Sequence, residues 1–226
     1  MELSLAEQLV LLSYDDVSGR PLLNTAQLDC GVQGAILLTL SYAGKVVLNH
    51  GHLEVSDPVP TGDPVLDASL ARVAAETTRY HTPDWWIYHL SSPRHREALL
   101  ERLVDRGVMV REDHAVLGVF HRRRYPERDT VVEKELVGHL RQVVNRMAAP
   151  DRQSVSLLAL VHTLLLDRHL FPEMNRDDLR HRITELTEGE WCGPAVAKVV
   201  YAMNMAVLAA ITGGAASSPT AAVSAT

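Results

Sequence analysis

Cysteine is scarce in this sequence, which limits the kinds of stabilisation available to the fold. Cys30 and Cys192 are its two cysteines, and neither forms a CxxC pair or lies near histidines at a metal-ligand spacing. A disulfide framework and a structural zinc are therefore not expected, and we predict no metal and no cofactor. Stability must come from an apolar core, which 226 residues with 46% hydrophobic content can build as one domain.

Long hydrophobic runs are also missing. The longest, AILLTL and SLLALVHTLLL, are much shorter than the roughly 20 apolar residues that a membrane-spanning helix needs. The N-terminal stretch MELSLAEQLV carries acidic residues where a signal peptide would carry basic ones. These absences predict a cytoplasmic protein whose contact with a membrane is peripheral.

The sequence contains none of the common phosphate-loop or nucleophile motifs. PTGDP is not part of a GxxxxGK[ST] loop, and there is no GxGxxG after a strand and no GxSxG elbow. Alternate spacing would put His50, His52 and Glu54 on one face of a strand, but a turn around His50 would direct it away from the other two. His162 lies in the apolar run LALVHTLLL and is interpreted as a core histidine. We predict a non-catalytic protein.

Lysine is rare, so arginine carries nearly all of the positive charge. The 22 basic residues include only Lys45, Lys134 and Lys198 as lysines, against 28 acidic residues and a formal net charge of −6. Residues 91–128 hold nine basic and six acidic side chains, whereas residues 1–90 hold four and eleven. One basic zone in an acidic protein argues against broad adhesion to nucleic acid and permits a local anion site.

Helix and turn signals predict a mainly α fold, with a buried helical bundle surrounded by amphipathic helices and two small β-hairpins. Ser4 and Glu7 form a capping box, and Asp63 and Ser92 each precede a proline as N-caps. In the first half of the chain, helices are predicted at about residues 5–13, from a Thr25 cap to Gly44, from Pro64 onward, around DWWIYHL, and from Pro93 to Gly107. In the second half, they are predicted at about residues 130–147, 152–167, 176–186 and 194–211. One hairpin is predicted in KVVLNHGHLEV, with its turn at Asn49-His50-Gly51, and the other after Gly107.

The helix that follows Thr25 is too continuously apolar for a surface helix, and we expect it to be central and buried. Its small residues Gly31, Gly34 and Ala35 should let a neighbouring helix approach closely. Residues 1–212 are predicted to form a single domain. Residues 213–226, GGAASSPTAAVSAT, are predicted to be a disordered tail.

Within the basic zone, Arg94 and Arg96 fall in the first turn of the helix that begins at Pro93. Unpaired backbone N–H groups and the helix dipole favour an anion there, and a guanidinium can bind phosphate bidentately. The alternative is that Glu97 and Glu101 pair with these arginines on a solvated face.

Three further arginines, residues 122–124, end the second hairpin. Strand alternation would send Arg123 to one face and its two neighbours to the other, which favours a solvated edge. The helix, hairpin and arginines also resemble a winged helix, but the acidic balance counts against nucleic-acid binding.

Several segments resemble the Golgi phosphoprotein 3 family, in particular its bacterial members. They are LSLAEQLVLLSYDDVSG, GVQGAILLTLSYAGKV, PTGDPVLDASL, ERLVDRGVM and LLALVHTLLLD, in the same order over roughly residues 3–212. The resemblance implies a helical fold with hairpins at its edge. It also implies a peripheral membrane adaptor that recognises phosphatidylinositol 4-phosphate.

The family's headgroup-binding positions are only partly matched. Asn24 stands where eukaryotic members have a tryptophan and Gln33 where they have an arginine. Two further family arginines fall on Pro93 and Arg96, and Arg94 is a neighbouring substitute. The resemblance therefore implies a lipid or phosphate site at Asn24, Gln33, Arg94 and Arg96.

The departures from the family pattern leave alternatives open. Each lost guanidinium removes charge-assisted bonds of about 1.5–3 kcal/mol, so a protein-interaction scaffold with a decayed lipid pocket is the second hypothesis. The hairpin around Asn49 is shorter than the family segment that supports oligomerisation, so self-association is not implied.

Overall fold

The computed structural model describes residues 2–76, 80–116, 120–128, 130–188 and 194–212. Within them the chain is mostly helical with two antiparallel hairpins, which confirms the predicted fold class. The helices are α1 (Leu5–Leu11), α2 (Thr25–Tyr42), α3 (Pro64–Ala75), α4 (Pro83–Leu90), α5 (Pro93–Asp105), α6 (Thr130–Val144), α7 (Arg152–Thr163), α8 (Asp167–Leu170), α9 (Arg176–Glu188) and α10 (Pro194–Ile211). The strands are β1 (Val46–Asn49), β2 (His52–Val55), β3 (Glu112–Val116) and β4 (Phe120–Arg124).

Side-chain caps fix the helix starts, largely as the sequence predicts. The Ser4 hydroxyl accepts from the Glu7 backbone N–H at 3.3 Å, and the Glu7 carboxylate accepts from the Ser4 N–H at 2.8 Å. Asp63 caps α3 by accepting from the Val65 N–H at 2.8 Å. The prediction that Thr25 caps α2 was wrong by one residue. Asn24 holds that position because its side-chain oxygen reaches the N–H two residues on, at 2.8 Å.

The first hairpin has the tight turn that its sequence predicts. Leu48 pairs with Leu53 and Asn49 with His52, which leaves a two-residue turn. His50 and Gly51, the two turn residues, have φ values of 46° and 84°. Positive φ at both positions matches the twist of the flanking strands, so the turn sets the register of this hairpin.

Helix α2 is the centre of the core, as its continuous apolar pattern predicts. It packs against α1, α3, α4, α5, α7 and α10. From Leu28 to Leu38 every residue is buried, including Asp29 and Gln33. Any polar group on this stretch must therefore find its partners within the protein.

Two glycines let other elements approach α2 closely, which confirms the prediction from small residues. A Cβ on Gly34 would lie 2.5 Å from Val207 Cγ2 of α10. A Cβ on Gly31 would lie 2.6 Å from Leu164 Cδ1, just beyond α7. Ordinary carbon contacts are longer than 3.4 Å, so both positions depend on the missing side chain.

Among the described residues, no helix combines the length and the apolar character required to cross a bilayer. The predicted tail, residues 213–226, lies outside the described residues. The assignment of residues 1–212 to a single domain stays a prediction.

Because α10 approaches α2 closely at Gly34, a substitution there should affect stability more than one at a helical glycine with open space around it. Gly34→Ala should lower the free energy of unfolding by about 1–3 kcal/mol, because the new methyl group overpacks against Val207. Gly138→Ala is the matched control, since a Cβ at Gly138 in α6 meets nothing within 4 Å. It should raise stability by about 0.5–1 kcal/mol through helix propensity. Urea unfolding followed by circular dichroism measures both, and equal shifts for the two variants would contradict the packing account.

Candidate functional site

A cleft of about 380 Å³ opens between the start of α5, the loop after α1 and the end of β4. We call it the arginine cleft. Its lining residues are Tyr14, Arg20, Pro21, Thr25, Arg96, Glu97, Leu100, Arg123, Arg124 and Tyr125. Four of these side chains are cationic and one is anionic, so this wall is positive although the whole chain is acidic.

Arg96 is the innermost of these arginines, and its orientation is fixed by buried partners. Its Nε donates to Asp29 Oδ1 of α2 at 2.7 Å, and its Nη1 donates to the Tyr14 hydroxyl at 3.3 Å. The two side chains of the ion pair are 12% and 8% exposed. Burial alone would lower the pKa of the Arg96 guanidinium, but the hydrogen bonds to Asp29 and Tyr14 raise it, so the group stays charged.

The remaining Arg96 nitrogen, Nη2, makes no hydrogen bond to any described residue. Burial raises the pKa of Tyr14 in spite of the nearby guanidinium, so its hydroxyl keeps its proton. Arg96 is therefore held from behind by a carboxylate and a phenol.

The loop that carries Arg20 is fastened to the segment after β4. The Tyr125 N–H donates to the Gly19 carbonyl at 2.9 Å, and the Tyr14 and Tyr125 rings meet edge to face at 6.0 Å between centroids. Gly19 has a φ of 62°, and a Cβ there would lie 2.3 Å from the backbone nitrogen of Pro126. Only glycine fits this contact, which brings Arg20 to the same cleft as the end of β4.

Arg124 supplies an unused hydrogen-bond donor at this wall. Its Nε is closed to solvent and has no hydrogen-bond partner among the described residues. The neighbouring Arg123 lies 3.8 Å from Asp113 across the hairpin, in an exposed and weak pair. A buried N–H without an acceptor is costly, and the Arg124 side chain would have to shift before a ligand could reach this atom.

Arg123 and Arg124 both line the cleft, although alternation along β4 would send them to opposite faces. The strand ends at Arg124, and long side chains at a strand end can reach around its edge. The Arg122 side chain lies outside the described residues.

The alternative, in which Glu97 and Glu101 pair with Arg94 and Arg96 on a solvated face, was wrong for Arg96 and for Glu101. Arg96 binds Asp29, and Glu101 binds Arg111 at 3.1 Å. The reason is that the Arg96 side chain points inward toward α2, whereas Glu101 lies on the exposed face of α5. Arg94 is exposed and is not among the residues that line the cleft.

Of the other two predicted site residues, Asn24 is exposed and Gln33 is buried. Asn24 is exposed at the N-cap of α2, beside the cleft residue Thr25. Gln33 is fully buried: its Nε2 donates to the Ser69 hydroxyl at 3.2 Å, and its Oε1 lies 3.1 Å from His95 Nδ1. Burial lowers the pKa of His95, so the neutral ring donates to Gln33. Whether these residues bind a ligand stays a prediction.

Sequence reasoning missed the roles of the lining residues Tyr14, Arg20 and Tyr125, and of Asp29, which binds Arg96 from behind the cleft. Gly19, which precedes Arg20, was a usable signal for the position of Arg20, since a glycine in a turn can mark a place where two backbone segments approach closely. No local signal connects Asp29 with Arg96, which lies 67 residues later.

A grouping of Ser154, His139 and Asp151 does not have the connectivity of a nucleophilic triad. His139 Nε2 lies 3.0 Å from the Ser154 hydroxyl, but that hydroxyl donates to Asp151, which also caps α7. In a triad the acid orients the histidine through its other ring nitrogen. Ser154 is also only 5% exposed, so the grouping is a helix cap.

Replacing Arg96 should lower the free energy of unfolding far more than replacing an exposed arginine. Arg96→Leu leaves the Asp29 carboxylate buried and unpaired, which should cost about 3–5 kcal/mol of stability. Adding Asp29→Asn should recover part of this loss because the buried charge is gone. Arg111→Leu is the control, since its pair with Glu101 is 47% and 40% exposed and should contribute far less to stability than the buried pair. Chemical unfolding measures all four proteins, and equal losses for the two leucine variants would rule out a structural ion pair.

A comparison with curated proteins found no match. The sequence profile of the Golgi phosphoprotein 3 (GPP34) family matches residues 5–203, which is most of the chain and includes every residue of the arginine cleft. The chain therefore belongs to the Golgi phosphoprotein 3 family.

Proposed function

We propose that this protein is a non-catalytic peripheral adaptor that docks on a membrane by binding an anionic lipid headgroup in the arginine cleft. The observation that carries the proposal is the convergence of Arg20, Arg96, Arg123 and Arg124 on one concave surface. Membership of the Golgi phosphoprotein 3 family supports an adaptor role.

The electrostatics of the cleft suit a phosphate group. Guanidinium groups bind phosphate oxygens in bidentate pairs, and each charge-assisted hydrogen bond contributes about 1.5–3 kcal/mol. Among the described lining residues, Glu97 is the one carboxylate, and Asp29 behind the wall offsets the charge of Arg96. Since the whole chain has a net charge of −6, attraction to a negative surface must be local and must orient the molecule.

Arg96 has a donor left for a ligand. Asp29 and Tyr14 bind its Nε and Nη1 and leave Nη2 without a described partner. Arg124 also lines the cleft, but its Nε is closed to solvent, so its side chain must shift before that atom can donate to a ligand. Thr25 adds the first turn of α2 to the wall, where backbone N–H groups favour anions.

The other predicted residues take different roles in this proposal. Arg94 is exposed in the same helical turn as Arg96 and adds attraction to an anionic surface outside the cleft. Asn24 lies at the mouth and offers a neutral amide. Gln33 acts indirectly, because its hydrogen bond to His95 ties α2 to the start of α5. A ligand like the phosphatidylinositol 4-phosphate headgroup is proposed from family membership.

A protein-interaction scaffold is the second candidate function. One observation favours it: Tyr201, Met205 and Leu208 form an apolar stripe at helical spacing on α10, with exposures of 54%, 46% and 42%. A scaffold without a lipid site would show no dependence on vesicle charge. The membrane experiment therefore separates the two functions.

Vesicle sedimentation tests the membrane proposal. The protein should sediment with phosphatidylcholine vesicles that contain phosphatidylinositol 4-phosphate and remain in solution with phosphatidylcholine alone. The double variant Arg20→Gln, Arg124→Gln should bind at least about tenfold more weakly, since it loses charge-assisted bonds to phosphate. Vesicles with phosphatidylserine at matched surface charge measure how much of the binding depends on the headgroup.

The control variant is Arg152→Gln, Arg180→Gln, which changes the net charge equally but lies on α7 and α9, away from the cleft. It should bind like the unmodified protein. Equal sedimentation with neutral and anionic vesicles, or equal weakening in the two double variants, would overturn the proposal.

A further inference from the structure

A second cavity, of about 280 Å³, lies between α8, the loop that follows it and the start of α9. We call it the α9 pocket. Two arginines, one aspartate and four apolar residues line it, and all of them come from residues 167–179. None of them lines the arginine cleft, and the whole stretch belongs to the described range 130–188. The α9 pocket is thus a separate concave surface, formed by one continuous segment of the chain.

The inner part of the α9 pocket is apolar. Phe171 and Leu179 are each 2% exposed and belong to the hydrophobic core. Pro172 and the half-buried Met174 complete the apolar lining. Methionine is flexible and polarizable, so it adapts to apolar groups of different shapes and packs well against aromatic rings. The pocket can therefore remove a ring or a branched aliphatic group from water.

Two arginines provide positive charge at the rim of the pocket. Arg168 lies on α8 and Arg176 is the first residue of α9, and both are exposed. Within the described parts of the chain, neither guanidinium has a hydrogen bond or an ion pair. The positive end of the α9 dipole does not stabilise a cation at Arg176. Both guanidinium groups are therefore available to an anion.

Asp167, the one carboxylate in the described lining, already has partners within the protein. Its Oδ2 lies 2.7 Å from His162 Nδ1 of α7, and its Oδ1 accepts from the Arg168 backbone N–H at 2.9 Å. Its side chain is only 13% exposed. Asp167 is thus held on the inner side of the pocket and does not pair with either guanidinium.

The neighbouring carboxylates outside the lining also leave the two rim arginines unpaired. Glu173 pairs with Arg141 at 2.7 Å, and Asp177 pairs with Arg180 at 3.0 Å. Asp178 is exposed and is not a lining residue. A bound anion therefore has no described carboxylate to displace from the rim.

We propose that the α9 pocket binds a small carboxylic acid whose ionised carboxylate is joined to an apolar ring or branched chain. The carboxylate lies between Arg168 and Arg176, which bind it through charge-assisted hydrogen bonds. The apolar group enters the pocket and packs against Met174, Phe171 and Leu179. The volume of about 280 Å³ is near the lower end of ligand pockets, about 300–1,000 Å³, so the ligand is small.

Phenylacetate is the probe, and methyl NMR of the full-length protein shows where it binds. The protein has six methionines, and isotope labelling of their methyl groups gives each a signal, with Met174→Leu to assign the one in the pocket. The Met174 signal should shift saturably during the titration, because the ring packs against this side chain. Met147 is the internal control, since it is 78% exposed and lies outside the pocket. Its signal should not shift.

Related compounds test the two parts of the ligand. Phenylacetamide keeps the ring and the shape but has no charge, so it should bind about tenfold more weakly through the loss of charge-assisted hydrogen bonds. Acetate keeps the charge but has no ring, so it should bind at least about tenfold more weakly. N-acetylphenylalanine presents its carboxylate as a peptide C-terminus does. Tighter binding of this compound than of phenylacetate would assign the pocket to a peptide C-terminus, and weaker binding would assign it to a free small acid.

Substitution of the two rim arginines tests their role. The double variant Arg168→Gln, Arg176→Gln should bind phenylacetate about tenfold more weakly, because it loses charge-assisted hydrogen bonds to the carboxylate. The control is Arg72→Gln, Arg152→Gln, which removes the same charge from exposed positions on α3 and α7 outside the pocket. It should bind like the unmodified protein. All four arginines are exposed, so both variants should keep the fold, and circular dichroism checks this.

A Met174 signal that does not shift saturably would overturn the proposal, and so would equal shifts of the Met174 and Met147 signals. Equal binding of phenylacetate and phenylacetamide would also overturn it, as would equal affinity in the two double variants. The α9 pocket shares no lining residue with the arginine cleft, so these results are independent of the vesicle experiment.

Discussion

The buried ion pair between Arg96 and Asp29 is the interaction on which the arginine cleft depends. Asp29 lies on the buried part of α2, and its side chain is only 8% exposed. A buried carboxylate requires a cation, and Arg96 provides it from α5 at 2.7 Å. This pairing draws the first turn of α5 against the core and directs the guanidinium toward the cleft.

The same pair organises the surrounding loops. Arg96 also donates to Tyr14, whose ring meets Tyr125, and Tyr125 is bonded to the loop at Gly19. Four segments that are distant in sequence are thereby connected through one guanidinium. Arg96 is thus fixed in place on its inner side, and its Nη2 has no partner among the described residues.

Much of the fold could be predicted from the sequence because its signals are local. The capping box at Ser4, the proline after Asp63 and the two-residue turn at His50 each specify structure within a few residues. The small residues of α2 predicted a close helix contact because only glycine leaves enough space at Gly34.

The site could be predicted only in part. Arg96 was identified from its position at a helix start, but its partner Asp29 lies on another helix and carries no local mark. Gln33 is placed by alignment at a headgroup position, yet burial within α2 gives its amide internal partners. Arg20 enters the cleft through a backbone contact at Gly19 that depends on the three-dimensional path of the chain.

The central claim is that the arginine cleft accepts a tetrahedral anion. Crystals soaked in selenate test it most directly, since anomalous scattering locates the anion. The account predicts a selenate ion in the cleft, within hydrogen-bonding distance of the Arg96 and Arg124 guanidinium groups. Selenate bound only outside the arginine cleft would contradict it.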